Sequence, residues 1–126
     1  MIVLVVTNMY PSVEYQTYGI FVQEMVSSLE HFEKVSCKVV FISERKKGLI
    51  RNTIKYLKLL MKVLKATLFS SYDVVNVHYI FPTGLIALPA FILRKKPLVI
   101  TSHGGDVRLG KKNKLLKILT RYLLGK

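Results

Sequence analysis

The sequence predicts an α/β fold, a Rossmann-like parallel β-sheet sandwiched by helices, and two observations carry the prediction. Short runs rich in β-branched residues alternate with longer segments of helical periodicity, in the order β-α-β-α-β-α-β-α. The first run, Ile2–Thr7, is apolar almost throughout, as expected of a central parallel strand that is buried on both faces. Alternation of this kind places helices on both faces of one parallel sheet.

The elements of the amino-terminal half follow from their own patterns. Residues 8–18 are polar, contain Pro11 and have no clear period, which predicts a loop ended by Gly19. Ile20–Phe32 carries apolar residues on one helical face, and residues 37–42 form a second short apolar strand. Leu49–Phe69 is long and periodic enough for a helix of several turns.

The carboxy-terminal half repeats the alternation. Residues 73–78 and 97–101 are predicted strands. Residues 82–94 are an apolar helix with Pro82 in its first turn, where proline is tolerated, and residues 111–124 form a lysine-rich final helix. The 126 residues are about the length of one domain, so residues 1–126 are expected to form a single unit.

The charge of the chain is strongly positive and unevenly distributed. The net charge is +13, and 18 of the 20 Lys and Arg residues lie from Arg45 onward. A field of this sign attracts polyanions such as anionic lipid, nucleic acid or phosphorylated substrates. The lone Cys37 excludes an internal disulfide framework and a Cys-based zinc site, and no metal is expected.

No segment is predicted to cross a bilayer. The longest apolar run, residues 79–93, contains Pro82 and Pro89 and is shorter than the ~20 residues that a spanning helix needs. The first residues lack the basic leader of an export signal. We therefore expect a cytoplasmic protein, peripheral on the inner face of the membrane if it binds lipid.

A basic stripe on the long helix points to an anionic surface. Its residues are spaced four, three, four and three apart, and are Arg51, Lys55, Lys58, Lys62 and Lys65. Apolar residues flank the stripe on both sides, which suits a helix at a lipid interface with snorkelling lysines. The alternative is a buried crossover helix whose one exposed stripe is basic. Nucleic acid is disfavoured because no recognised binding motif is present.

Three polar loops are expected to meet at the carboxyl edge of the sheet. They cover residues 8–19, 78–84 and 101–106. Gly19 stands before a helix, although the loop is neither GxGxxG nor a P-loop, so its phosphate signal is weak. His78 and His103 lie on two of these loops and are expected to converge.

The third loop contains two adjacent glycines and a carboxylate. Gly104 and Gly105 permit a sharp turn and close approach of a ligand to the backbone. Asp106 has three open roles at this point: general base, hydroxyl binder or cap of the following helix.

Four separated motifs together resemble a known family. They are VVTNMYPS (residues 5–12), YGIFVQE (18–24), DVVNVHYIFPTGLIAL (73–88) and PLVITSHGGDV (97–107). In this order they resemble the amino-terminal, acceptor-binding domain of retaining GT-B glycosyltransferases of family 4, which transfer sugars from nucleotide-sugar donors. The family's fold has two Rossmann-like domains that face each other across a cleft.

The resemblance implies roles for particular residues. Gly19 would lie near the donor diphosphate and the acceptor, and His78 would line the cleft. His103 would face the transferred sugar, and Asp106 would close the motif, so both are predicted as catalytic. Gly104 and Gly105 would contact donor or acceptor. No cofactor is implied beyond the nucleotide sugar as a substrate, and the acceptor would be a sugar or a lipid-linked molecule.

The sequence also departs from the family's pattern. Many relatives have paired glycines where Tyr18, Gly19 and Ile20 stand, and Ser or Thr where Gly105 stands. The strand that follows the last helix in relatives is not found, nor is the donor-binding domain. The resemblance therefore implies a truncated or split enzyme that needs a donor-domain subunit or a homo-oligomer. The alternative is a non-enzymatic basic module that binds a protein or nucleic acid.

Overall fold

The computed structural model describes residues 1–32, 34–45, 47–112, 114–123 and 125. These residues form one four-stranded parallel sheet with helices on both faces, as predicted. The strands are β1 (Ile2–Thr7), β2 (Ser36–Phe41), β3 (Val74–His78) and β4 (Leu98–Thr101). The helices are α1 (Ile20–Phe32), α2 (Leu49–Phe69), α3 (Leu85–Arg94), α4 (Gly105–Lys112) and α5 (Lys114–Leu123).

The strands lie in the order β2-β1-β3-β4, which places β1 in the interior of the sheet. The register of β1 with β2 runs from Ile2↔Ser36 to Thr7↔Phe41. On its other side β1 pairs with β3, and β3 in turn pairs with β4. The chain thus moves to one side of β1 and then crosses to the other side.

Alternate residues of β1 face two separate apolar cores. Val3 and Val5 pack with Val22 and Val26 of α1 on one face. Leu4 and Val6 pack on the other face with α2 and α3, whose buried residues include Leu59, Val63, Ala87 and Ala90. The continuous apolar run in β1 therefore reflects burial on both faces, as the sequence predicted.

Two helical segments differ from the predicted ones. A kinked turn, Ile80–Gly84, precedes α3, so the regular helix begins at Leu85 and not at Pro82. The predicted helix at residues 111–124 is replaced by α4 and α5, and residue 124 lies outside the described residues. The helical segment therefore starts at Gly105 and not at residue 111. This start has a physical reason, because Asp106 lies in the first turn of α4, where a negative charge is favourable.

The core under α2 yields a test of the fold. Leu59 is completely buried, whereas Leu57 on the same helix is 59% exposed. We expect Leu59→Ala to lower the free energy of unfolding by about 2–5 kcal/mol, since it removes apolar contacts and leaves a cavity. Leu57→Ala should change it by no more than about 0.5 kcal/mol. Urea unfolding followed by circular dichroism measures both, and equal effects would contradict the described packing.

Candidate functional site

The strand order places a topological switch point at the carboxyl ends of β1 and β3. The connection after β1 leads to β2 on one side of the sheet, and the connection after β3 leads to β4 on the other side. In open α/β sheets, ligands bind in the crevice that forms at such a switch point. The loop of residues 8–19 borders the crevice after Thr7, and the turn Ile80–Gly84 borders it after His78.

The first loop is folded back so that its end touches its beginning. Gly19 has φ of 75°, and a Cβ at this position would lie 2.6 Å from the backbone carbon and oxygen of Met9. Only glycine fits both the positive φ and this close approach. The position of Gly19 is therefore explained by packing within the loop, while a phosphate contact for it stays a prediction.

His78 and His103 meet as the sequence predicted from their strands. The Nδ1 atom of His78 lies 3.1 Å from Nε2 of His103, and the two rings stack with centroids 5.3 Å apart. His78 is almost fully buried, at 2% exposure, whereas His103 is exposed. Burial, and secondarily the neighbouring His103, lowers the pKa of His78 from 6.5 to about 4, so His78 is neutral at pH 7.

Two aromatic side chains complete a cluster around His103. The ring of Phe21 lies 4.6 Å and the ring of Tyr79 4.5 Å from the His103 ring, measured between centroids. Tyr79 has φ of 76°, and its backbone N–H donates to the carbonyl of Thr101. Burial raises the pKa of the Tyr79 phenol, whose hydroxyl donates to Sδ of Met9 in the first loop.

Phe21 and Tyr79 are site residues that the sequence did not predict. The apolar periodicity placed Phe21 on a face of the helix at Ile20–Phe32, and Tyr79 fell in the loop of residues 78–84 without a role of its own. The available signal was proximity, since Tyr79 directly follows His78 and Phe21 lies two residues after Gly19.

Asp106 is a buried carboxylate that connects two loops. Its Oδ2 accepts a hydrogen bond from the N–H of Ile80 at 2.9 Å, and its Oδ1 accepts from the N–H groups of His103 and Val107 at 3.1 and 3.0 Å. The side chain is only 6% exposed. The bond to Val107 satisfies an N–H in the first turn of α4, as a cap does, whereas the bonds to Ile80 and His103 tie Asp106 to the segments after β3 and β4. The catalytic role of Asp106 stays a prediction.

The two glycines of the third loop leave open space beside the histidines. Gly104 has φ of 79°, which favours glycine, and Gly105 begins α4. A Cβ at either position would meet no atom within 4 Å. This open space is compatible with close approach of a ligand to the loop backbone.

The basic stripe of α2 does not form one outward-facing band. Lys55 is only 6% exposed, and its Nζ lies over the rings of Tyr18 and Tyr56, at 5.9 and 5.6 Å from their centroids. The prediction that Lys55 belongs to an exposed surface was therefore wrong. Burial also lowers the pKa of Lys55, an effect that nearby Glu44 partly offsets.

The other members of the stripe are exposed but partly engaged. Lys58 forms an ion pair with Glu44 at 3.1 Å, and Lys62 donates to the carbonyl of Phe41 at 2.9 Å. Arg51 and Lys65 are exposed. Besides these basic residues, α2 exposes large apolar side chains, namely Leu49, Ile50, Ile54, Leu57, Met61, Leu68 and Phe69. We call Ile50, Ile54, Leu57, Met61 and Leu68 the apolar face of α2.

A family model described as glycosyl transferase 4-like matches residues 15–126, which is most of the chain. The chain belongs to the glycosyl transferase 4-like family. No curated protein and no solved structure matches the sequence. The match includes Gly19, His78 and residues 103–106. We call Phe21, His78, Tyr79 and His103 the crevice cluster, and all four lie within the matched residues.

Membership of the glycosyl transferase 4-like family confirms the resemblance found in the sequence and the α/β fold that it implied. It indicates a glycosyltransferase-type role with sugar substrates in general. Within the part of the chain that the structure describes, no cluster of three or more metal-ligating side chains is found. Among those same residues, no helix has the length and apolarity needed to span a bilayer.

The buried carboxylate of this family member yields a second test. Asp106→Asn replaces one accepting oxygen by an NH₂ group that cannot accept from a backbone N–H. We expect it to lower the free energy of unfolding by about 1–3 kcal/mol, the usual effect of an unsatisfied buried donor. Asp73→Asn is the matched control, since Asp73 accepts an exposed hydrogen bond from Ile2. Urea unfolding measures both variants, and the control should be close to the wild type in stability. An Asp106→Asn variant as stable as the wild type would show that the Asp106 bonds contribute little.

Proposed function

We propose that the crevice cluster is the acceptor-side wall of a retaining glycosyltransferase that uses a nucleotide-sugar donor. The observation that carries the proposal is the His78–His103 pair at the switch point of a glycosyl transferase 4-like chain. An exposed imidazole beside open glycine backbone supplies polar groups for sugar hydroxyls. The rings of Phe21 and Tyr79 supply apolar surface for the carbon faces of a sugar ring.

His103 is the residue that we assign to the reacting sugar. Its ring is held among three other rings, and its backbone N–H is fixed by Asp106. A group held in this way loses little further freedom when it binds a ligand. Asp106, with both oxygens on backbone donors, positions the loop and does not itself touch the substrate.

We further propose that transfer requires a second, donor-binding unit on the opposite side of the crevice. Positive charge that develops on the sugar in glycosyl transfer has to be stabilised by groups around it in a site that excludes water. The crevice cluster borders only one side of such a site. A donor-binding domain or subunit, or another copy of the chain, would supply the other side.

We also propose that the apolar face of α2 attaches the protein to an anionic membrane surface, where a lipid-linked acceptor would be found. Leu57, Met61 and Leu68 are each about 60% exposed, at 59%, 62% and 63%. Exposed Arg51 and Lys65 lie on the same helix, and the chain as a whole carries a net charge of +13. An apolar helix face bordered by cations is the pattern of an interfacial helix.

The proposed sugar site is tested by ligand binding and turnover together. In saturation-transfer NMR with a panel of uridine, guanosine and adenosine diphosphate sugars and free hexoses, we expect at least one ligand to bind the wild-type chain without any sugar being transferred. His103→Ala should abolish the signal, because it removes the imidazole from the centre of the cluster.

The matched control for this experiment is His31→Ala, which removes an exposed histidine at the end of α1, away from the crevice. It should bind as the wild type does. Binding that is lost equally in both variants, or no binding by any member of the panel, would argue against the sugar site. Transfer by the purified chain alone would contradict the need for a second unit.

The membrane proposal is tested by sedimentation with vesicles of phosphatidylcholine, with and without phosphatidylglycerol. We expect binding to the anionic vesicles, and at least about tenfold weaker binding for the Leu57→Gln/Met61→Gln double variant, since each buried apolar side chain contributes about 1.5–3 kcal/mol.

The control double variant, Val13→Gln/Phe32→Gln, removes two exposed apolar side chains that lie outside α2. It should bind like the wild type. Equal binding to neutral and anionic vesicles would overturn the electrostatic part of the proposal. Absence of vesicle binding together with salt-dependent binding of RNA or DNA would favour the nucleic-acid alternative.

A further inference from the structure

We propose that His78 is a positioning residue that fixes the tautomer of His103. In this arrangement Nδ1–H of His78 donates to Nε2 of His103, so that neutral His103 carries its proton on Nδ1. The imidazole then offers an N–H donor, and not an acceptor, at its remaining nitrogen. The tautomer is a property of the chain without ligand, whereas its use toward a sugar hydroxyl rests on the proposed function.

The contact between the two rings requires one donor and one acceptor. Nδ1 of His78 and Nε2 of His103 are 3.1 Å apart, within hydrogen-bond distance. Either His78 donates and His103 accepts, or the reverse. A neutral imidazole carries one N–H and one lone pair, so the choice at this contact fixes the proton position in both rings.

The other nitrogen of His78 decides between the two arrangements. Its Nε2 is buried and has no hydrogen-bond partner among the described residues. If His103 donated, the proton of His78 would lie on this buried Nε2 and would have no acceptor. Orphaned buried N–H groups are rarer than buried acceptors with an unused lone pair. The proton of His78 therefore lies on Nδ1, where it has an acceptor.

The environment of His78 keeps this arrangement in place at neutral pH. Burial lowers the pKa of His78 to about 4, so at neutral pH the ring does not gain a second proton on Nε2 and stays a single-donor imidazole. The His78 and His103 rings are nearly parallel, with an interplanar angle of 19°. A flip of either ring would break the only hydrogen bond that is found for the His78 side chain among the described residues.

In the proposed tautomer, Nδ1 of His103 is the ring nitrogen that offers a hydrogen-bond donor to a ligand. Phe21 and Tyr79 contact the His103 ring, and Asp106 holds its backbone N–H, so ring and main chain are both constrained. A protonated nitrogen at Nδ1 of His103 matches an acceptor oxygen, such as a sugar hydroxyl. His78 does not touch that oxygen and acts only through His103.

The tautomer is read directly from the imidazole nitrogens. Long-range ¹H–¹⁵N correlation spectra of ¹⁵N-histidine-labelled chain, without ligand and at pH of about 8, separate protonated from unprotonated ring nitrogens, since the ordinary histidine pKa is about 6.5. We expect Nδ1 of His103 to be protonated and Nε2 to be unprotonated. His31, which is exposed at the end of α1, should show the averaged pattern of a free imidazole.

Two variants separate positioning from a structural role. His78→Asn keeps an N–H donor near the position of Nδ1 and should preserve the His103 tautomer. His78→Leu removes the donor, and His103 should revert to the Nε2–H form that free imidazole side chains prefer. If His78→Leu fails to fold, the wild-type spectrum alone decides the proposal.

Protonation of His103 at Nε2 in the wild type would overturn the proposal, as would an unchanged His103 spectrum in folded His78→Leu. These results are independent of sugar binding, because no ligand is present. Conversely, the expected tautomer in a chain that binds none of the panel sugars would support the positioning of His103 while contradicting the proposed function.

Discussion

One buried carboxylate holds together the two loops on which the crevice depends. Asp106 accepts from Ile80 in the turn after β3 and from His103 in the loop after β4, so one side chain joins the two segments that follow these paired strands. The His78–His103 contact lies beside this connection, because His78 is two residues before Ile80 and the N–H of His103 is itself one of the bonded groups. Charge-assisted hydrogen bonds of this kind are roughly twice as strong as neutral ones.

The loops that follow β3 and β4 lie at the same edge of the sheet as the first loop, which follows β1. Because β1 lies between β2 and β3, its carboxyl end opens where the chain reverses direction across the sheet. The hydroxyl of Tyr79 donates to Met9, which joins the turn after β3 to the first loop, and Gly19 packs on Met9 within that loop. The His103 ring is contacted by Tyr79 from the second loop and by Phe21 of α1, and the residue remains exposed.

The fold and the convergence of the histidines could be predicted from the sequence, for physical reasons. The apolar run of β1 reports burial on two faces, and parallel strands bring His78 and His103 to one edge. The bond between Asp106 and Ile80 could not be predicted, since it joins residues 26 positions apart through a kinked turn. The burial of Lys55 was also missed. Periodicity gives the angles between side chains on α2, but a helix that is apolar nearly all round does not reveal which side meets the sheet.

We propose that this glycosyl transferase 4-like chain meets its sugar substrate at the edge of the sheet around His103. Backbone amide chemical-shift mapping of the ¹⁵N-labelled chain, titrated with a nucleotide sugar that binds it, tests this proposal most directly. We expect the perturbed amides to concentrate at Gly19, Tyr79 and residues 103–105, at the carboxyl edge. Perturbations confined to α1, to α2 or to the amino-terminal ends of the strands would contradict it.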